Sequence, residues 1–304
     1  MDEPPNGRLL LAVGITVLAW ASAFVVIRYV GPHFAPGSLT LGRLLVGSAV
    51  LSVSMAGRRR VRLDRREWSL VALIGVAWFG VYNIALNAGE RRVDAGTAAM
   101  LIQLAPILIG VLAGLVLGEG FPRMLVLGGL VAFAGTLVIG VASGAGGGAT
   151  SSGGATTNVV GVLLVLLSAV VYSVAMVAQK VVLRRLPGLQ VTWLACLVGT
   201  VATLPFAGTL VREVAVAPTR SVLGVVYLGA VPTALAFSTW AYALSRTSAG
   251  RLGVTTYVVP PIAIALAWLW LGEVPALLAV LGGVLSLVGV AIARRPSRTP
   301  APGA

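Results

Sequence analysis

Two polar side chains stand in matching places within the long apolar stretches of this chain. Gln103 lies three residues before Pro106, and Tyr257 lies three residues before Pro260. A proline inside a helix frees the carbonyl of the residue four positions earlier, which for Pro260 is Thr256. A freed carbonyl in an apolar interior needs a neighbour, water or a ligand. We therefore predict that Gln103, Thr256 and Tyr257 bind a polar solute beside two proline kinks; hydrogen bonds between helices are the alternative.

Further polar and aromatic residues share helix faces. Asn83 and Asn87 are four residues apart, so both lie on one side of a helix. Tyr172 and Gln179 share a face in the same way, and Trp20 takes the place in the first half of the chain that Tyr172 takes in the second. We predict that these five side chains line a binding site, where amides hydrogen-bond and rings stack on a substrate. Contacts between helices and filling of the core are the alternatives.

Arg43 is the clearest ionisable residue within an apolar stretch. A charge deep in a bilayer costs about 2.5–3.5 kcal/mol on insertion scales, so it usually faces a cavity or a partner. Arg43 could hold an anionic group such as a substrate carboxylate, or it could extend to the membrane surface or pair with Glu273. We favour the structural role. No Asp or Glu lies in the middle of an apolar stretch, so the sequence shows no carboxylate relay for proton coupling.

The composition excludes a soluble globular protein, because 58% of the residues are hydrophobic, 10% are charged and the mean hydropathy is +0.98. Runs of about 20 apolar residues are long enough to cross a bilayer as helices. We predict an all-α membrane protein with ten transmembrane helices. These spans are residues 9–29, 37–56, 68–88, 95–117, 123–142, 158–180, 189–210, 221–243, 248–271 and 275–293.

The net charge of +13 follows the two sides of a membrane rather than a nucleic-acid-binding patch. With the N-terminus in the cytoplasm, the outer loops hold only Arg91, Arg92, Arg212 and Arg220. This pattern predicts a multi-pass protein of the cytoplasmic (inner) membrane with both termini in the cytoplasm. The expected partners are the lipid bilayer and a small-molecule substrate, and not nucleic acid. The oligomeric state stays open, with a homodimer as one alternative.

A repeat divides the chain into two halves. Residues 95–119 and 249–273 both begin with Ala-Gly, carry a proline at the same place and end with Gly-Glu. Each half holds five predicted spans, an odd number, so the second half must enter the membrane from the opposite side. We predict two inverted five-helix repeats around a central cavity. The predicted divisions are 9–142 for the first repeat, 143–157 for a Gly/Ser-rich linker, 158–293 for the second repeat and 294–304 for a cytoplasmic tail.

Small residues within this repeat predict close helix packing. The spacing of Gly110, Gly114 and Gly118 is that of a GxxxGxxxG face, which lets two backbones approach closely. We assign structural roles to Gly110, Gly114, Gly118, Glu119, Gly272 and Glu273.

The ten helices, the two tandem units, the proline-containing fourth and ninth helices that end in Gly-Glu, and the arginine in the second helix together resemble one family. It is the EamA-domain group of the drug/metabolite transporter superfamily, and the resemblance covers about residues 12–293. It implies a secondary transporter that exports small organic metabolites, amino acids or drug-like compounds by alternating access; import is also known in the superfamily. Helices 1–4 and 6–9 would line the cavity.

Two other classes of function remain as alternatives. The chain could be a non-transporting membrane scaffold or assembly subunit, or an integral-membrane lipid enzyme. Against the enzyme, the sequence lacks an HExxH motif, a P-loop, paired carboxylates and a Cys/His cluster. We predict that the protein is not an enzyme and binds no cofactor or metal.

Overall fold

The computed structural model of the chain describes residues 7–90, 102–146, 159–271 and 277–293. All regular elements within these ranges are helices. Seven of the helical stretches there are long and apolar enough to cross a bilayer, and three shorter apolar helices accompany them. The protein is therefore an all-helical membrane protein, as its composition predicts.

The helices of the first half are α1 (Gly7–Val30), α2 (Pro36–Met55), α3 (Arg65–Ile74), the π-helix π1 (Gly75–Tyr82), α4 (Asn83–Glu90), α5 (Ala105–Val116) and α6 (Arg123–Gly146). Those of the second half are α7 (Val159–Val182), α8 (Gly188–Thr203), α9 (Ala207–Val216), α10 (Thr219–Leu228), the π-helix π2 (Gly229–Leu235), α11 (Ala236–Leu244), α12 (Ala249–Thr255), α13 (Val259–Leu271) and α14 (Leu277–Ala293). Short 3-10 turns, Leu204–Phe206 and Thr256–Val258, join α8 to α9 and α12 to α13.

One end of the helix bundle, here called the arginine-rich end, carries the loop 56–64 between α2 and α3. At this end α3 begins at a capping box, in which Asp64 accepts from the Glu67 N–H (2.7 Å) and Glu67 accepts from the Asp64 N–H (2.9 Å). Glu67 also binds Arg185 in the second half of the chain. This hydrogen bond raises the pKa of Arg185. The contact therefore joins the two halves at their polar margin.

Two more charged residues hold helix ends together at the arginine-rich end. The Glu119 carboxylate accepts from the N–H groups of Ala249 (2.8 Å) and Gly250 (3.1 Å), the first residues of α12. Lys180 Nζ donates to the carbonyls of Leu244 (2.6 Å) and Thr247 (2.5 Å), where α11 ends. An anion at a helix start and a cation at a helix end both satisfy unpaired backbone groups and the helix dipole. Glu119 thus has a structural contact to the other half of the chain.

The prolines of the repeat each follow a turn or a short 3-10 segment. Pro106 is in the first turn of α5, and Pro260 and Pro261 are in the first turn of α13. A missing N–H costs nothing there, because the first N–H groups of a helix have no partner within it. The Tyr257 carbonyl, which Pro261 leaves free, accepts a hydrogen bond from Ser286 Oγ of α14 (2.9 Å).

The three glycines of the predicted GxxxGxxxG face do not form one packing surface, so that expectation needs correction. A Cβ added to Gly110 would meet no atom within 4 Å, and one on Gly114 would meet the Phe121 ring of the following loop. Gly118 ends the helix in a left-handed conformation, with φ of +68°. The three positions therefore differ in role because α5 stops before the third of them.

The closest helix packing joins α6 and α14 instead. A Cβ on Gly128 would lie 2.5 Å from the Gly289 carbonyl oxygen, and one on Gly135 would lie 2.6 Å from that of Gly282. The later residue of α6, Gly135, contacts the earlier residue of α14, Gly282, so the two helices pack antiparallel. Backbone-to-backbone approach of this kind requires glycine at the contact.

Contacts between matching positions of the two halves recur through the bundle. Ser48 of α2 and Thr200 of α8 are 152 residues apart and share a hydrogen bond of 2.9 Å. Tyr257 donates its hydroxyl proton to the main-chain oxygen of Gln103, 154 residues earlier, at 3.0 Å. Two glycine contacts also correspond between the halves, Gly75 with Ala195 and Gly229 with Arg43. In each, a Cβ on the glycine would lie 2.6 Å from the carbonyl oxygen of the other residue.

Candidate functional site

A cluster of aromatic side chains from four helical stretches occupies the middle of the bundle. We call it the aromatic cluster, and its members are Trp20, Trp78, Phe79, Tyr82, Tyr172, Phe237 and Trp240. Trp78 is its centre, with ring centroids 4.9 Å from Phe237 and 5.0 Å from Tyr172. Trp20 joins it through Trp240, at 4.8 Å. Aromatic rings from both halves of the chain thus pack together in tilted and edge-to-face pairs.

The two π-helices position much of this cluster. π1 carries Trp78 and Phe79, and π2 directly precedes Phe237 on α11. A π-helix leaves carbonyls without their usual helical partner, and side chains one turn on take over. Asn83 Nδ2 donates to the carbonyls of Trp78 (3.0 Å) and Phe79 (3.1 Å). In π2 the Thr233 hydroxyl donates to the Leu228 carbonyl, five residues earlier, at 2.8 Å.

Buried polar atoms within and beside the cluster have no hydrogen-bond partner in the described part of the chain. They are the hydroxyl of Tyr172, the indole N–H of Trp240 and both amide atoms of Gln179. The exposed fractions of these side chains are 8%, 1% and 0%. Each such atom costs about 1–3 kcal/mol in an apolar interior. Together they offer an indole donor, a hydroxyl and an amide that can both donate and accept, which a polar group of a small molecule could satisfy.

Arg43 lies beside this cluster and connects the two π-helices. Its Nε donates to Thr233 Oγ1 and its Nη1 donates to Asn83 Oδ1, both at 3.1 Å. The side chain is 7% exposed, so it is buried rather than extended to the surface. Asn83, which accepts from Arg43, donates in turn to the carbonyls of Trp78 and Phe79 in the cluster. The alternative partner Glu273 lies outside the described residues, as does Gly272.

The proline-associated residues form contacts within the protein. Tyr257 is fully buried, and its hydroxyl donates to the Gln103 carbonyl. Thr256 donates its hydroxyl proton to the Gly253 carbonyl at 2.7 Å. The Tyr257 bond matches the alternative interpretation, in which the polar groups beside the prolines join helices, whereas the Thr256 bond stays within its own helical stretch. Asn87 is partly buried, one turn beyond Asn83.

Several residues of the site carry little signal in the sequence. Phe79 and Phe237 read as ordinary core residues, and Trp240 lies near a helix end, where an aromatic residue often marks the membrane interface. In the structure the Trp240 ring lies in the core instead, because it is 1% exposed and packs on Trp20. Trp193 does lie near the polar margin, with Arg60 4.6 Å above its ring. The sequence signals for π1 and π2 are the matched glycines Gly75 and Gly229, each at the start of a π-helix, and Pro232 within π2.

Several bacterial proteins resemble the chain over almost its full length. It is 39% identical to a "Probable terminal-alkyne amino-acid exporter" of Streptantibioticus cattleyicolor, over 95% of this chain and 94% of that one. It is 33% identical to an uncharacterized transporter of Bacillus subtilis, over 93% and 90% of the two chains. A "Probable amino-acid metabolite efflux pump" of Salmonella typhimurium is 25% identical, over 94% of each chain.

A solved crystal structure and a family profile agree with these relatives. The crystal structure is 24% identical and superposes with a TM-score of 0.76, over 95% of this chain and 97% of that one, which shows a shared fold. The profile of the EamA-like transporter family matches residues 8–141 and again residues 159–295. With both halves matched, the chain belongs to the EamA-like transporter family.

Proposed function

We propose that this protein is a secondary transporter that exports small organic metabolites, with apolar amino acids as the first candidates, by alternating access. Membership in a transporter family supports the class of function, and the relatives include a probable terminal-alkyne amino-acid exporter and a probable amino-acid metabolite efflux pump. The observation that carries the proposal is the set of unpaired polar atoms on Tyr172, Gln179 and Trp240 beside the aromatic cluster.

The chemistry of these groups favours an amphipathic solute. Ring faces suit an apolar or flat side chain, and they also attract a cation such as an ammonium group. The indole N–H of Trp240 can only donate, so it suits a carboxylate or carbonyl oxygen, whereas Gln179 can serve either group. An amino acid with an apolar side chain meets all three requirements. Asn83, Asn87 and Trp20 are proposed as further contacts, with Gln103, Thr256 and Tyr257 shaping the helices behind them.

The proposed architecture is ten transmembrane helices in two inverted repeats, at 9–142 and 158–293, joined by the linker 143–157. The antiparallel packing of α6 on α14 supports inversion, because these helices occupy matching places in the two halves. The hydrogen bonds between matching residues support an axis that runs between the halves. The seven long and three short apolar helices support the count. A substrate site between inverted halves is the arrangement that alternating access needs.

We further propose that the protein lies in the cytoplasmic membrane with both termini, including the tail 294–304, in the cytoplasm. The support is the arginine content of the loops. The loop 56–64 and the segment 183–187 hold Arg58, Arg59, Arg60, Arg62, Arg184 and Arg185, and contacts between these segments place them at one end of the bundle. By the positive-inside rule this end faces the cytoplasm. Family membership also supports a transporter rather than an enzyme.

Flux measurements in proteoliposomes test the proposal. Purified protein would be reconstituted and loaded with each unlabelled amino acid of an apolar and aromatic panel, and uptake of the labelled form would be followed. We expect saturable uptake driven by exchange for at least one member, well above that of protein-free liposomes. No flux above protein-free liposomes for any member, in either direction of loading, would refute the proposed function.

A further inference from the structure

We propose that Arg43 binds the carboxylate of the transported substrate, and that this binding exchanges the hydrogen bonds by which Arg43 ties π1 to π2. The inference rests on the proposed function and names both the anionic group of the substrate and the residue that recognises it. It assigns Arg43 a binding role as well as the structural role that its present contacts show.

The first argument is the charge of Arg43. Its two hydrogen-bond partners, Thr233 and Asn83, are neutral, and in the described part of the chain it has no carboxylate partner. The titratable groups in its surroundings are the Tyr82 phenol and the Cys196 thiol, and both are neutral at neutral pH. A buried cation without a counter-charge is expensive, and an incoming carboxylate would compensate it.

The second argument is geometry. The guanidinium has five N–H donors in a planar fork, and the two bonds to Thr233 and Asn83 use only part of that capacity. A carboxylate matches the fork with two parallel hydrogen bonds. Asn83 links Arg43 to the main chain of Trp78 and Phe79, two members of the aromatic cluster. A carboxylate held by Arg43 would therefore leave the rest of an amino acid beside the rings and the unpaired polar atoms.

The third argument concerns what Arg43 releases. Both of its partners also donate to backbone carbonyls at the π-helices: Asn83, the first residue after π1, binds two carbonyls of π1, and Thr233 of π2 binds that of Leu228. π1 belongs to the first half of the chain and π2 to the second, so one guanidinium connects the halves. A substrate that competes for this guanidinium loosens the connection. A change from π- to α-helix would then shift the following residues by about 1.5 Å and rotate them by about 100°, which would move Phe237 and Trp240.

The test compares an amino acid with its amide, which keeps the side chain and ammonium group but lacks the carboxylate. The probes are the best-transported member of the apolar panel and its carboxamide. Binding is measured by quenching of tryptophan fluorescence, because Trp20, Trp78 and Trp240 lie in the aromatic cluster. We expect the wild-type protein to bind the acid about 10- to 100-fold more tightly than the amide, as the loss of a charge-assisted pair predicts.

In Arg43→Gln this preference should disappear, while Arg43→Lys should keep part of it because the charge remains without the fork. Arg212→Gln, at an exposed arginine on α9, is the matched control and should keep the full preference. Thr233→Val keeps the charge, so it should change the transport rate but not the acid preference.

If Arg43 had only a structural role, the result would differ. Its substitution would then change the affinities for the acid and for the amide by the same factor relative to wild type. Wild-type protein without an acid preference, or folded Arg43→Gln with an unchanged preference, would overturn the inference while leaving transport itself established. Absence of any wild-type flux would instead refute the proposed function, and this inference with it.

Discussion

Substitution of Gly128 by alanine should separate α6 from α14, and the adjacent Gly129 provides the control. A Cβ on Gly128 would lie 2.3 Å from the Ala293 nitrogen and 2.5 Å from the Gly289 oxygen, both of which are backbone atoms. An ordinary contact needs about 1 Å more, and a backbone atom cannot turn aside as a flexible side chain can. Overpacking of this kind costs about 1–3 kcal/mol.

At Gly129 the same substitution meets only a side-chain methyl of Val254, at 3.6 Å, which is a normal contact. Gly129→Ala should therefore be neutral or stabilise the protein by about 0.5–1 kcal/mol, the usual advantage of alanine over glycine within a helix. Gly289→Ala should behave like Gly128→Ala, because its Cβ would lie 2.2 Å from the Ala132 nitrogen.

The assay is thermal unfolding in detergent, followed by tryptophan fluorescence, with gel filtration to detect aggregation. The expected order of stability is Gly129→Ala at or above wild type, with Gly128→Ala and Gly289→Ala clearly below it. If Gly128→Ala and Gly129→Ala unfold at the same temperature as wild type, α6 and α14 do not approach as closely as described. The antiparallel contact that supports the inverted repeats would then lose its basis.

Substitutions at two further positions test contacts between the halves. Tyr257→Phe removes the hydrogen bond to the Gln103 carbonyl and should lower the stability in thermal unfolding by about 0.6–1.5 kcal/mol. Its substrate affinity should stay within twofold of wild type. A tenfold loss of affinity with unchanged stability would instead place the hydroxyl in the substrate site. Glu119→Ala exposes the N–H groups of Ala249 and Gly250 and should cost about 0.5–2 kcal/mol, whereas Glu119→Gln keeps one acceptor and should cost about half as much. Equal unfolding temperatures for wild type and both Glu119 variants would contradict the capping contact.

The features that depend on local composition could be predicted from the sequence. Apolar runs predict the helices, and the repeated Pro and Gly-Glu pattern predicts the family. Length, hydropathy and motif spacing can all be measured from the sequence alone. Burial of Gln103, Tyr257, Tyr172 and Gln179 also follows, since polar groups within an apolar helix must face protein. The inverted arrangement and the membrane orientation stay predictions.

The details of the site depend on contacts between distant residues, so the sequence could not predict them. The spare carbonyls of the π-helices are bound locally by Asn83 and Thr233, and both of these side chains are held by Arg43 from a distant part of the chain. The sequence around Trp240 is compatible with a ring that faces lipid and with a ring that faces the core. Its packing on Trp20 shows that it faces the core. The glycine spacing of α5 predicted packing, but the helix ends too early for Gly118 to take part.

The measurement that tests the central claim most directly compares Gln179→Met with Gln190→Met. Both glutamines are at least 98% buried, at 0% and 2% exposure. The amide of Gln190 is satisfied by the Val61 N–H (2.9 Å) and carbonyl (2.7 Å), whereas that of Gln179 has no partner in the described part of the chain. If the unpaired amide serves the substrate, removing it relieves a cost of about 1–3 kcal/mol without substrate.

We therefore predict that Gln179→Met unfolds at a higher temperature than wild type and binds the transported amino acid at least tenfold more weakly. Gln190→Met should unfold at a lower temperature, with binding unchanged. The opposite signs of the two stability changes distinguish a binding group from a structural one. If Gln179→Met is destabilised as much as Gln190→Met and still binds substrate with wild-type affinity, the substrate site does not include this amide.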